Sequence, residues 1–547
     1  MYGLKTADKL SHSPSTVRRG LWHWAITATF ALTLTVGGES SSAAGLEGNE
    51  DPIHVETFDA VWKIISDTHY DPDALGEEWD DAYAELRPAA EAAESTAELR
   101  EVINELLSRL GESHFVLLPR EAVEGDVPSL DAPDASEADR DAAPPPEQPR
   151  TLRDRADVGL NVRVLDDEVI VTSIESGGAA ADADVQVGWS IVDITPGPDR
   201  EQREADEPDP PADPAEAETR GPQRWTLQER IALLRDSLPE SELDRQVISF
   251  VQEQLGGPVG SRVTVTFRTD ESVRDVELTR RRPEGQTVQF GNLPPVTVHF
   301  HARNLHIPDA PDLHVGLIDF NIWLLPVMRQ FDEAIDDFRS ADGIILDLRG
   351  NPGGIGGMSM GIAGHFFDKP ASLGTFRNRT AELEFRANPR FSSPTGEPVE
   401  PYDGPVAILI DRMTGSTSEI FAGGMQALGR ARVFGETSMG AALPSTTTPL
   451  PNHDVLQHAI ADFVSADGKR LEGRGVVPDE EITIGRDDLL AGQDPILEAA
   501  INWIADPVEK REKMDEPETR EDEEQREDGR GDSPPDSVDE DAPPSTR

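Results

Sequence analysis

Three short segments hold residues whose types and spacing could do chemistry. The first, GIILDLRGNPGG (343–354), runs an apolar stretch into a Gly-rich turn. Glycines there allow unusual backbone angles and let a substrate come close to the chain. The second, DRMTGSTSEIFAGGMQALGRARVFGE (411–436), reads as a strand end, a short polar turn and a helix whose start holds Ser416, Thr417 and Ser418. The first N–H groups of a helix lack intrahelical partners. A serine at that position therefore sits beside donors suited to the oxyanion of an acyl transfer. The same position also suits a serine that only caps the helix, and this segment alone favours capping. The third, LEGRGVVPD (471–479), is a Gly-rich turn ending in Pro-Asp, uninformative alone.

The elements that must position these segments follow from periodicity. From about residue 312 the chain alternates strand and helix. HVGLIDF reads as a strand. LLPVMRQFDEAIDDFRS reads as an amphipathic helix with Val327, Phe331, Ile335 and Phe338 on one face. GIILDL and PVAILI are continuous apolar runs, as in strands buried on both sides. Together they predict an α/β core. Residues 51–120 form an N-terminal helical region, in which VETFDAVWKIISDTHYD and ELREVINELLSRLG space their apolar residues three and four apart and Gly111 is a helix stop. Residues 121–155 are an acidic, Pro-rich linker. Residues 156–285 are a β unit: strand pairs surround the Leu165-Asp166-Asp167 turn and fill 262–282. A helical insertion (198–256) adds an acidic Pro-rich stretch at 198–222 and helices at 226–236 and 240–255. Residues 286–505 carry the core, and 506–547 an acidic tail expected to be disordered.

Taken together and in this order, DLRGNPGG, GSTSEIFAGGMQALGRARVFGE and EGRGVVPD resemble the C-terminal-processing, or tail-specific, serine peptidases. VQVGWSIVDI resembles the Gly-Asp-x-Ile turn and strand of PDZ domains, with Trp189 where Asp is usual. The resemblance implies a crotonase-like ββα core with an inserted PDZ-like β domain. It implies Ser416 as the nucleophile, three residues before Glu419, and the backbone N–H groups of Gly354 and Thr417 as oxyanion donors. The lysine that serves as base in the best-known members would fall at Ala441, and the next lysine is Lys469. A serine without a base is a weak nucleophile. LSRLGESHFVLLP (107–119) offers another base, because its Ser113-His114 pair resembles that of the tricorn proteases. That resemblance implies His114 as the base, Ser113 orienting the imidazole, and Glu472 orienting Ser113.

Composition narrows the partners. The chain has 547 residues and a formal net charge of −55, which repels nucleic acid and anionic membranes alike. It has no cysteine, so disulfides and thiolate chemistry are excluded. His365, His453 and His458 read as structural or surface residues. With no HExxH or similar cluster, no metal or cofactor is expected. Arg18 and Arg19, an apolar run from Leu21 to Val36 and the small residues SSSAAG have the layout of a secretory signal over 1–44, cleaved after Ala44. Membrane contact would then come only through that segment, if uncleaved. The expectation is an exported serine endopeptidase acting on proteins or peptides, with the PDZ-like domain recognising substrate. The alternatives are a catalytically inactive ligand- or peptide-binding protein on the same scaffold, and an acidic scaffold protein with a peptide-binding module.

Overall fold

Apolar residues spaced three and four apart turn one face of each N-terminal helix inward. The helices are Asp51–Thr68, Pro72–Ala92 and Thr96–Ser108. Asp71 and Ser95 cap the second and third by accepting from backbone N–H groups of the first turn. Phe58, Val61, Ile65, Trp79, Leu99 and Ile103 form their shared core. The computed structural model describes residues 51–123, 155–165, 168–196, 227, 231, 240–269, 272–291, 293 and 295–506. The signal segment, the 121–155 linker beyond its ends, the 198–222 stretch, the 226–236 helix apart from Leu227 and Ile231, and the tail after Asp506 lie outside the described residues. No helix among the described residues is long and apolar enough to cross a membrane.

The third helix stops at Ser108. After Gly111, at φ 63°, the chain turns through Ser113 and His114 into the strand Val116–Leu118. That strand pairs antiparallel with Val455–Ala459, Val116 opposite Gln457. Helical periodicity cannot disclose a three-residue strand whose partner lies in a remote hairpin. This pairing fixes where the Ser113-His114 turn sits.

The centre is a six-stranded sheet in the order Phe300–Asn304, Val315–Phe320, Gly343–Asp347, Val406–Ile410, Arg432–Gly435 and Glu480–Glu481. All neighbours are parallel except the first pair. Parallel strands need crossover helices, which cover both faces and explain the unbroken apolar runs. Leu325–Phe338 packs Val327, Phe331, Ile335 and Phe338 on one face. Pro495–Ala505 closes the other with Ile496, Ala500 and Ile504. Gly343 and Gly316 let these helices approach, since a Cβ at Gly343 would lie 2.5 Å from Ile504 and one at Gly316 2.5 Å from the Phe338 ring.

A second sheet, antiparallel and five-stranded, runs Leu160–Leu165, Glu168–Ile174, Ser190–Pro196, Arg262–Arg268 and Val273–Thr279. The helix Glu240–Leu255 covers it with Leu243, Val247 and Val251. Trp189 is buried against Phe267, with the Arg274 guanidinium 4.0 Å over its ring. Two ion pairs tie this sheet and its helix to the loop after Val406–Ile410: Arg163–Asp411 at 3.0 Å and Arg412–Asp244 at 2.9 Å.

Gly343→Val should force the Pro495–Ala505 helix off the sheet and cost about 1–3 kcal/mol, the usual toll of overpacking. Urea unfolding measures this, and an unchanged midpoint would show that the helix does not seat against Gly343.

Candidate active site

Ser416 lies where Val406–Ile410 has ended and the helix Thr417–Ala427 begins. It is 5% exposed and holds φ 51°, ψ −116°. A non-glycine residue there carries backbone strain of order 1–3 kcal/mol. The surroundings over-determine it. Thr414 Oγ1 accepts from Asp411 N–H (2.9 Å) and donates to Leu348 O (2.9 Å), while Gly415 N–H donates to Asn351 O (3.0 Å). The Ser416 N–H is shared between Ala441 O (2.9 Å) and Glu419 Oε2 (2.9 Å). Ser418, the other serine of the turn, neither caps the helix nor is free. It donates to Asn351 Oδ1 (3.1 Å) and accepts from Trp323 Nε1–H (2.8 Å).

The Gly-rich turn lies against this serine. A Cβ at Gly353 would stand 2.6 Å from Ser416 Cβ and 2.8 Å from Thr417 N. Gly353 and Gly354 hold φ 105° and 144°, and Thr417 Oγ1 donates to Gly354 O at 2.7 Å. Neither the Gly354 N–H nor the Thr417 N–H donates to a protein acceptor among the described residues. Buried N–H groups without acceptors are rare.

The other predicted residues form a second cluster. His114, buried and at φ 65°, has Nδ1 2.5 Å from Ser113 Oγ. Ser113 Oγ donates to Glu472 Oε2 (2.9 Å), and Ser113 N–H donates to Glu472 Oε1 (2.8 Å). A hydroxyl has one proton, and the carboxylate takes it. Ser113 Oγ therefore accepts from His114 Nδ1–H, leaving Nε2 as a bare acceptor. That Nε2 is buried and unpartnered among the described residues. Burial, with the nearby charge of Arg245, pushes the His114 imidazole down to about 3, so it stays neutral near pH 7. Burial also raises Glu472, against donors from Ser113 and Ala442, and the charge of Glu112 adds to the rise.

One peptide unit joins the clusters. The Ala441 carbonyl accepts from Ser416 N–H, and the Ala442 N–H of the same peptide donates to Glu472 Oε2 at 2.9 Å. No hydrogen bond links His114 Nε2 to Ser416. Sequence reading treated Ala441 only as a missing lysine and overlooked its backbone. It also left Glu419 without a role. That carboxylate is fully buried and accepts from Ser438 Oγ (2.6 Å) and Gly440 N–H (2.7 Å) on Oε1, and from Ser416 and Ala441 N–H on Oε2. The spacing Ser416-x-x-Glu419 is that of a capping box, the signal that could have found it. Burial pushes Glu419 up to about 7 against the pull of these donors.

The remaining candidates lie elsewhere. His458 is buried between Thr68 Oγ1 and Thr448 Oγ1, each at 3.0 Å, and its imidazole is pushed down to about 4. His365 is buried beside Asp332 at 2.8 Å, and His453 is an exposed turn residue. Lys469 pairs with Asp467. No group of three or more potential metal ligands exists among the described residues.

A glycine-lined strand end facing a strained serine at a helix start defines a class that comparison with known proteins identifies. Residues 314–482 match the model of Peptidase family S41, and residues 54–108 that of the Tricorn protease C1 domain. The chain thus carries an S41 peptidase domain preceded by a tricorn C1 domain. Among curated proteins it is similar to a carboxyl-terminal-processing protease of Picosynechococcus sp. The two are 27% identical over 209 residues, covering 38% of this chain and 48% of that one. A probable CtpA-like serine protease of Staphylococcus saprophyticus is 23% identical over 242 residues, covering 43% and 44%. The chain spans less than half the length of these relatives. A crystal structure of a CPAF mutant shares the fold, with TM-score 0.52 and 10% identity over 83% of this chain and 98% of that one.

Two predictions follow from the buried ionisable groups. Each Glu419 oxygen faces two donors, so either orientation of a glutamine amide sets N–H against N–H or O–H. Glu419→Gln should therefore destabilise by about 2–4 kcal/mol, and an unchanged urea midpoint would refute that reading. His458 is neutral when folded and titrates near 6.5 when unfolded. Its contribution to stability should thus be lost as pH falls from about 6.5 to 4, by about 3 kcal/mol. His458→Gln should flatten the decline in a pH series of unfolding curves, and an equally steep decline would contradict it.

Proposed function

We propose that this protein is a serine endopeptidase of the C-terminal-processing type, with Ser416 as nucleophile and His114 as general base. The observation that carries the reading is the Glu472–Ser113–His114 relay. It ends in a bare, buried Nε2 and rests on the same peptide unit that holds Ser416. The S41 domain and the names of the relatives support the same class.

In this reading Ser416 Oγ attacks the scissile carbonyl carbon while His114 Nε2 takes its proton. The oxyanion is received by the Gly354 and Thr417 N–H groups, which have no other acceptor among the described residues. Ser113 accepts from Nδ1–H, and Glu472 supports the imidazolium through Ser113. His114 then gives its proton to the leaving amine as the C–N bond breaks. Water hydrolyses the acyl-enzyme by the reverse roles. Closing the Nε2–Ser416 contact would take a movement of the Ser113-His114 turn on binding, since catalytic hydrogen bonds often tighten only in the complex.

The five-stranded sheet would serve as a PDZ-like recognition domain. Its edge strand Leu160–Leu165 lies beside the helix Glu240–Leu255, an arrangement that takes an added peptide strand. The N-terminal charge and apolar pattern supports export. A second reading, a ligand-holding protein without catalysis, draws on the missing His114–Ser416 bond.

Hydrolysis of an unfolded protein substrate tests these readings. Ser416→Ala should abolish it, and His114→Ala should lower kcat by at least about a hundredfold while the protein stays folded. Wild-type activity in Ser416→Ala would remove the nucleophile. Full activity in His114→Ala would remove the base, and no activity in the wild type would favour ligand holding.

A further inference from the structure

The Ser113-His114 turn is placed by the strand that follows it and by the two Ser113–Glu472 bonds. It links a helix to a three-residue strand, with Gly111 and His114 both at positive φ. One further side chain, next to Ser113, braces it. The Glu112 carboxylate accepts from His69 Nε2–H (3.0 Å) and from the Tyr70 hydroxyl (2.5 Å) at the end of the first helix. It also pairs with Arg470 at 3.3 Å. Arg470 lies two residues before Glu472, donates to Tyr70 Oη (2.6 Å), and is itself fixed by Asp462 (3.0 Å). His69 stacks with both Tyr70 and Phe115, so the residue after His114 belongs to the same assembly. Arg379 anchors the helix end by donating to the Ser66 and His69 carbonyls.

Glu112 thus joins three segments distant in sequence: the helix end at 69–70, the turn at 112–114 and the loop at 470–472. The middle and the carboxylate end of the proposed relay both leave from it, Ser113 by one peptide bond and Glu472 through Arg470. We propose that Glu112, clamped by His69, Tyr70 and Arg470, is a positioning residue that holds the Ser113-His114 turn in register with Glu472. This rests on the catalytic reading above and adds to it a residue that touches neither substrate nor Ser416. Burial raises the Glu112 carboxyl, but its donors and the charges of His69 and Arg470 outweigh this and hold it below the usual range. It therefore stays an anion at neutral pH, able to accept all three contacts.

The test combines steady-state kinetics with NMR of protein carrying 15N-labelled histidine, the His114 Nδ1–H signal being assigned by its loss in His114→Ala. Glu112→Gln keeps the shape but removes the negative charge that Arg470 pairs with and one of the two accepting oxygens. It should lower kcat about ten- to hundredfold, leave KM within about twofold, and shift or broaden the His114 signal, with Glu112→Asp recovering part of each. A wild-type kcat, or an unmoved His114 signal, overturns the clamp. If Glu112→Gln does not fold, Tyr70→Phe removes one donor and should give the same changes at smaller size, and an unmoved signal there overturns the clamp as well. If the wild type hydrolyses nothing, the catalytic reading falls, while the NMR comparison still decides whether Glu112 positions His114.

Discussion

The arrangement depends on one peptide unit, between Ala441 and Ala442. Its carbonyl accepts the Ser416 N–H and its N–H donates to Glu472. A trans peptide is planar and stiff, with C=O and N–H pointing in opposite directions. Fixing one side of it therefore fixes the other. Glu419 locks the same strip of chain by accepting from Ser416, Gly440 and Ala441. The strained serine, the buried carboxylate and the relay are thus held as one body. The residue type at 441 matters little here, because the backbone makes the contacts.

Such a site runs against stability in several places at once. Ser416 and His114 both hold positive φ, Glu419 is a fully buried acid, and His114 Nε2 is buried without a partner among the described residues. Each would cost of order 1–3 kcal/mol in isolation. Dense hydrogen bonding around them offsets part of that, and the apolar core of the six-stranded sheet supplies the rest. The Nε2 is the instructive exception. Every other side-chain polar atom of the relay is paired, while the imidazole nitrogen is left open.

Much of this was legible in the sequence. The apolar runs GIILDL and PVAILI became adjacent parallel strands, because a run without alternation is what two covered faces require. The helix face Val327, Phe331, Ile335 and Phe338 followed from its period. The glycine turn and the serine turn came together as their residue types implied. What stayed hidden was set by long-range backbone contacts. The strand Val116–Leu118 is too short to signal itself and exists only through its partner. Ala441 gives no sign that its carbonyl and the next N–H bridge two clusters. The Glu112 clamp joins residues 43 and 358 positions away, and the Glu419 hub shows in the sequence only as a capping-box spacing.

Covalent labelling by a serine-directed acylating probe, with the modified residue mapped by peptide mass spectrometry, tests the central claim most directly. One adduct on Ser416, formed in the wild type and slowed at least about a hundredfold in folded His114→Ala, is the result expected of a serine activated by that imidazole. Labelling at any other serine, or of Ser416 at an equal rate without His114, would contradict it.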